Sequence, residues 1–134
     1  FSMEPIHPKT KLAALWLFIL LNMIFRDLHQ IFLKSELEMF LTGTYNGVVI
    51  SEEMLLVGGL IIQVPIGMTL FSHLLTRRIS RPVTVVAVLI TAAGLLSNAP
   101  SDMDDVLHLT VELAAFVAIL WTVWTWPASA RATA

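Results

Sequence analysis

The 134-residue sequence contains no cysteine. Thiol–disulfide chemistry is thereby excluded, together with thiolate metal sites, iron–sulfur clusters and covalently attached haem. Small four-helix membrane enzymes that couple disulfides to quinones need a Cys-x-x-Cys pair, so that class falls away too. Charge is scarce: 13% of residues are charged, against about 25% in an average soluble domain. No repeat or low-complexity stretch is present, and the length suits a single domain. The formal charge of −2 points neither to nucleic acid nor to an anionic lipid surface. Phe1 and Ser2 precede Met3 and read as a cloning remnant, which sets the domain at 3–134. No cleavable signal is expected, because the first apolar run is too long and no small-residue cleavage site follows it.

What the chain has in abundance is apolar sequence, 57% of its residues. Four long runs fall at roughly 11–33, 52–76, 82–99 and 103–126. Each approaches or exceeds the roughly 20 residues that cross a bilayer core, which predicts an all-α, integral membrane four-helix bundle. Thr10 is the expected N-cap of the first helix, and Ser51 with Glu52 and Glu53 opens the second. Pro82 suits the first turn of the third, and Ser101 with Asp104 has the spacing of a capping box before the fourth. Trp121, Trp124 and Trp126 fit an interfacial aromatic belt.

Orientation follows from the basic residues. Lys9 and Lys11, Arg77, Arg78 and Arg81, and Arg131 fall at one end of the spans. The other connections hold Lys34 and the acids Glu36, Glu38, Glu52, Glu53, Asp102, Asp104 and Asp105. The positive-inside rule then places both termini in the cytoplasm, in a multi-pass cytoplasmic-membrane protein. The outward segment from Lys34 to Ser51 is either a connector or a lid. Ser35–Leu41 suits a short surface helix, and Tyr45-Asn46-Gly47-Val48 suits a tight hairpin turn.

Ionisable residues inside such runs cost about 2.5–3.5 kcal/mol each and therefore need partners. In the first span Asn22, Arg26 and His29 lie within roughly a 60° arc, with Asp27 turned about 100° from Arg26. In the fourth, Asp104, Asp105, His108 and Glu112 share one face; in the second, Glu52, Gly59 and Gln63 do. At 1.5 Å per residue, Arg26 and Glu112 both fall about 4–6 Å outward of mid-span, and His29 and His108 about 10 Å. An Arg26–Glu112 ion pair is expected. Such a network can be a ligand or catalytic site, or it can merely neutralise charge and set helix register.

Four readings of this constellation are open. In the first, an outward-side polar pocket binds a small hydrophobic or lipid-like molecule and transforms it by acid–base chemistry. His29 or His108 would shuttle a proton, Glu112 or Asp27 orient it, and Arg26 stabilise negative charge, with Asn22, Gln63 and Glu52 as further ligand contacts. The second is an oligomeric channel or proton-coupled transporter, assembled through small residues of the third span (Thr91, Ala92, Ala93, Gly94). Against it, the inner half offers little polarity beyond Thr69, Ser72 and His73. The third is a structural subunit of a membrane complex. The fourth is a cofactor site: Zn²⁺ on His29, His108 and Glu112, or haem between His29 and His108. One His and one Glu four apart recur by chance, so no metal and no cofactor is assigned. His7 and His73 read as solvated or interfacial.

The Arg26-Asp27-Leu28-His29 cluster, the Thr42-Gly43-Thr44-Tyr45-Asn46-Gly47 loop and the Asp104-Asp105 start of the last span carry a resemblance. The chain resembles, over nearly its whole length, an uncharacterised bacterial family of small four-span membrane proteins. More loosely it is similar to DoxX-like proteins. The resemblance implies the fold and a bacterial inner membrane, and its looser part implies contact with a quinone; it implies no catalytic residues.

Overall fold

A computed structural model describes residues 4–128; Phe1, Ser2, Met3 and residues 129–134, Arg131 included, lie outside the described residues. The element order is α1 (Pro8–Phe32), α2 (Lys34–Leu41), β1 (Thr44–Tyr45), β2 (Val48–Val49), α3 (Glu52–Leu74), α4 (Arg77–Leu96) and α5 (Met103–Thr125). Helices α1, α3, α4 and α5 are each long and apolar enough to cross a membrane. They form the expected all-α four-helix bundle, packed in the ring order α1–α3–α4–α5. The α1–α3 and α4–α5 connections share one end, hereafter the loop end; the termini and the α3–α4 turn share the other.

The helix starts follow local chemistry, with three departures from expectation. Ser51 caps α3 as read from sequence, its Oγ accepting from the Met54 N–H at 3.2 Å. The cap of α1 is His7 instead of Thr10: its Nδ1 accepts from the Lys9 N–H at 3.2 Å, and Pro8 fits the first turn. The cap of α5 is Asp102, one residue beyond Ser101, accepting from the Asp105 N–H at 2.8 Å. Helix α4 begins at Arg77, five residues before Pro82, although Pro82 forfeits the bond to the carbonyl four residues back. Arginines favour that early start. Arg77 Nε donates to the Trp126 carbonyl at 2.9 Å, and Arg81 donates to those of Val123 and Trp124 at 3.0 and 2.7 Å. These bonds satisfy carbonyls that the end of α5 would otherwise leave open, and they set cations at its negative pole.

The apolar core fills the terminal half. Leu12, Trp16 and Ile19 of α1 meet Met68, Val88, Phe116 and Ile119 there. Trp16 stands edge-on to Phe116 with ring centres 6.2 Å apart. Trp121 and Trp124 face outward as a belt requires, but Trp126 is buried, its ring 6.0 Å from that of His7. The small residues of α4 are used within the chain. Thr91 is buried, and a Cβ on Gly94 would come within 2.9 Å of Ile61 Cγ2, so α3 and α4 approach closely here.

The loop end has its own small structure. Thr44 pairs with Val49 and Tyr45 with Val48, antiparallel. Asn46 and Gly47 have φ of 50° and 78°, the consecutive left-handed residues that a two-residue hairpin turn demands. Phe40 of α2 stacks on Tyr45 at 5.3 Å, which fastens helix to hairpin. Both the short helix and the turn are where the sequence places them.

Candidate functional site

A cavity of about 720 Å³ opens at the loop end among α1, α3 and α4. Its two walls differ in chemistry. One carries Arg26, Asp27 and Gln30 of α1 with Asp105 at the start of α5. The other, from α3, carries Met54, Val57, Gly58, Ile61 and Ile62, while α4 and the turn after it contribute a mixed edge of Thr91, Leu95, Ser97 and Asn98. Glu36 of α2 and the hairpin residues Tyr45 and Asn46 also line it, so the loop borders the cavity. Burial, followed by the nearby negative charge of Glu36, pushes the Tyr45 phenol above its ordinary pKa. Tyr45 is therefore a neutral hydroxyl at physiological pH, able to donate into the cavity.

Arg26 organises the polar wall. It is 6% exposed, and its Nε donates to Asp105 Oδ1 at 3.0 Å. Gln30 Nε2 donates to the same oxygen at 3.4 Å, while the Ser101 N–H and hydroxyl donate to Oδ2 at 3.0 and 2.9 Å. Asp105 is thus the first partner of Arg26. Glu112, the partner expected from depth, comes second: its Oε2 is 3.9 Å from Arg26 Nη1, beyond hydrogen-bonding distance. Glu112 is fully buried, and neither of its oxygens has a hydrogen-bond partner among the described residues. The guanidinium bonds a carboxylate nearly two turns closer to the loop end than Glu112. Matching helix positions by depth ignores how far a long side chain reaches along the axis.

The polar residues read as one constellation divide between two sides of the α1–α5 seam. Arg26, Asp27 and Gln30 line the cavity. Asn22, His29, His108, Asp102 and Asp104 are absent from its lining and gather separately. His108 Nδ1 lies 3.0 Å from Asn22 Oδ1, and His108 Nε2 lies 3.7 Å from Asp104 Oδ1. His29 Nδ1 is 4.0 Å from Asp104 Oδ2. Helical spacing explains the split. At 100° per residue, Asn22 and His29 point about 20° apart, whereas Arg26, Gln30 and Asp27 follow over roughly the next 140°.

Of the residues named from sequence, Arg26 and Asp27 therefore line the cavity, while His29, His108, Glu112 and Asn22 do not. Gln63 and Glu52 are exposed on α3 and also lie off it. Sequence reasoning passed over Gln30, Tyr45 and Gly58. Gln30 follows Arg26 by one helical turn and was open to the same argument; Tyr45 and Gly58 reach the cavity only through tertiary packing.

The chain belongs to a family of unknown function, DUF6326, whose model matches residues 5–133. No curated protein and no solved structure matches the chain.

Proposed function

We propose that this membrane-spanning protein binds a small hydrophobic or lipid-like molecule in the cavity at its loop end. The observation that carries the reading is the division of the cavity's walls. An aliphatic wall from α3 and a polar side of Arg26, Asp27, Gln30 and Tyr45 line one space, which suits a ligand with an apolar body and one polar end. A quinone-like head group meets the same description, and a DoxX-like relationship would imply the same ligand class. Acid–base chemistry on such a ligand falls to Asp27 ahead of His29, His108 or Glu112, because Asp27 borders the cavity. The bundle is oriented with both termini in the cytoplasm of a bacterial cell. Supporting this, Lys9, Lys11, Arg77, Arg78 and Arg81 lie at the terminal end, and Glu36, Glu38, Glu52, Glu53, Asp102, Asp104 and Asp105 at the loop end. Membrane lipids surround it. Gln63, exposed near the middle of α3, is the natural contact for a second copy.

One observation favours the transporter reading. Ser80, Thr84 and Thr91 of α4 are at most 1% exposed, and their hydroxyls lack hydrogen-bond partners among the described residues. The hydroxyls of Thr69, Ser72, Thr110, Thr122 and Thr125 instead bond the carbonyl four residues back. The terminal half is thus more polar than its sequence suggests, since Ser80 and Thr84 lie buried there while His73 is exposed.

Gly58 supplies the test of binding. It lines the cavity, and a Cβ built there meets nothing within 4 Å. Gly58→Phe is expected to fill the cavity while improving helix propensity by roughly 0.5 kcal/mol. Wild-type protein purified in mild detergent and extracted into organic solvent should release a molecule, identified by mass spectrometry, at near-equal molar ratio. The variant should fold and release less than a tenth as much. Equal recovery from both proteins contradicts the proposal.

A further inference from the structure

The second group of polar residues, away from the cavity, has the chemistry of a metal site. One ligand atom each from His29, Asp102 and Asp104 can be chosen so that all lie within 4.8 Å of one another. His108 adds a fourth donor, its Nε2 being 3.7 Å from Asp104 Oδ1. These residues come from the end of α1, the cap of α5 and its first two turns, so the fold assembles them from segments far apart in sequence.

The hydrogen bonds indicate what is missing between them. Asn22 Nδ2 donates to the Phe18 carbonyl at 2.9 Å, which turns its Oδ1 toward His108. His108 Nδ1 must then carry the hydrogen of that 3.0 Å bond, leaving a lone pair on Nε2 in the neutral ring. That lone pair faces the Asp104 carboxylate. Two acceptors opposed at 3.7 Å are reconciled either by a proton on Nε2 or by a metal cation beside them, and the unpartnered carboxylate oxygens nearby favour the metal. Asp102 Oδ1 is occupied in capping α5, but Asp102 Oδ2 and Asp104 Oδ2 are both shielded from solvent and without hydrogen-bond partners among the described residues. An imidazole held by a hydrogen bond at one nitrogen, with the other free, is the usual arrangement of a metal-ligating histidine.

We propose that the loop end of the α1–α5 seam binds one divalent transition-metal ion of the Zn²⁺ class. His29, Asp102 and Asp104 are its ligands, and His108 is a fourth donor oriented by Asn22. Ligand atoms about 2.0–2.2 Å from one ion stand roughly 3–4 Å apart, so the 4.8 Å spread closes through small side-chain rotations. A nitrogen-and-oxygen donor set prefers Zn²⁺ to Ca²⁺ or Mg²⁺, which take oxygen alone. Two carboxylates match the charge of the ion, and Arg26, the nearest cation on α1, is held by Asp105. The site stands beside the cavity and does not depend on what fills it.

The test is equilibrium binding of Zn²⁺ to the full chain, purified without a polyhistidine tag and stripped by chelating resin. One ion per chain is expected. Because His29 is nearly half exposed, His29→Ala should preserve the fold, and it should weaken binding at least tenfold. Asp104→Asn should do the same, and His73→Ala, on exposed α3 surface at the other end, should not. Zn²⁺ should also raise the thermal midpoint of the wild type and not of His29→Ala. Absence of stoichiometric binding, or equal affinity in wild type and His29→Ala, overturns the proposal. So does equal affinity for Ca²⁺.

Discussion

Asp105→Ala is expected to destabilise the protein by about 3–5 kcal/mol, the usual cost of removing one member of a buried ion pair. The carboxylate is 1% exposed and accepts from Arg26, Gln30, and both the N–H and hydroxyl of Ser101. Its loss leaves a guanidinium in the bundle with Glu112 as nearest anion, at 3.9 Å and without a hydrogen bond. The same change frees the Pro100–Ser101 turn from the start of α5, so the polar wall of the cavity and the α4–α5 connection loosen together. The measurement is the unfolding free energy in mixed micelles titrated with SDS, followed by tryptophan fluorescence. A loss under about 1 kcal/mol would mean that Arg26 readily finds another partner, and that Asp105 does not hold the wall.

Glu112→Met should move stability the opposite way, by about 1–2 kcal/mol. Both residues are carboxylates near one guanidinium, yet their surroundings differ. Glu112 is buried completely, and its two oxygens receive no hydrogen bond among the described residues. Burying an acceptor unsatisfied costs free energy, while a thioether of similar length packs without that cost. Asp105 continues to neutralise Arg26 in the variant. The same SDS titration reads the gain, and a loss of more than about 1 kcal/mol would show that Glu112 contributes to the pairing after all. The contrast bears on the structural-subunit reading. If Glu112 set helix register, its replacement would cost stability instead; ligand release should be unchanged in either case, because Glu112 lies off the cavity.

Those opposite expectations could not have been drawn from sequence, where Arg26–Glu112 looked like the natural pair. Depth along the axis was legible because each span has a fixed rise per residue. The reach of a guanidinium was not, and nor was the Ser101 turn that presents a carboxylate to it. Where a local rule governs, sequence and structure agree. Asn46-Gly47 makes its hairpin because two left-handed residues are needed there, and Ser51 caps α3 because its hydroxyl reaches the Met54 N–H. The early start of α4 shows the limit: contacts of Arg77 and Arg81 with the end of α5 accompany a helix that accommodates Pro82. Much of the cavity's lining was hidden for the same reason. Gly58, Leu95 and Tyr45 are unremarkable in their own segments, and only the ring order of helices brings them around one space.

Photolabelling with a diazirine-bearing fatty acid, mapped by peptide mass spectrometry, tests the central claim most directly. The binding account predicts saturable labelling concentrated on Met54, Val57, Ile61, Ile62 and Leu95, competed by excess unlabelled fatty acid and abolished in Gly58→Phe. Labelling spread over the exposed face of α5 around Leu120 and Trp124, without saturation and unchanged in the variant, would show that the bundle meets such molecules only as bulk lipid.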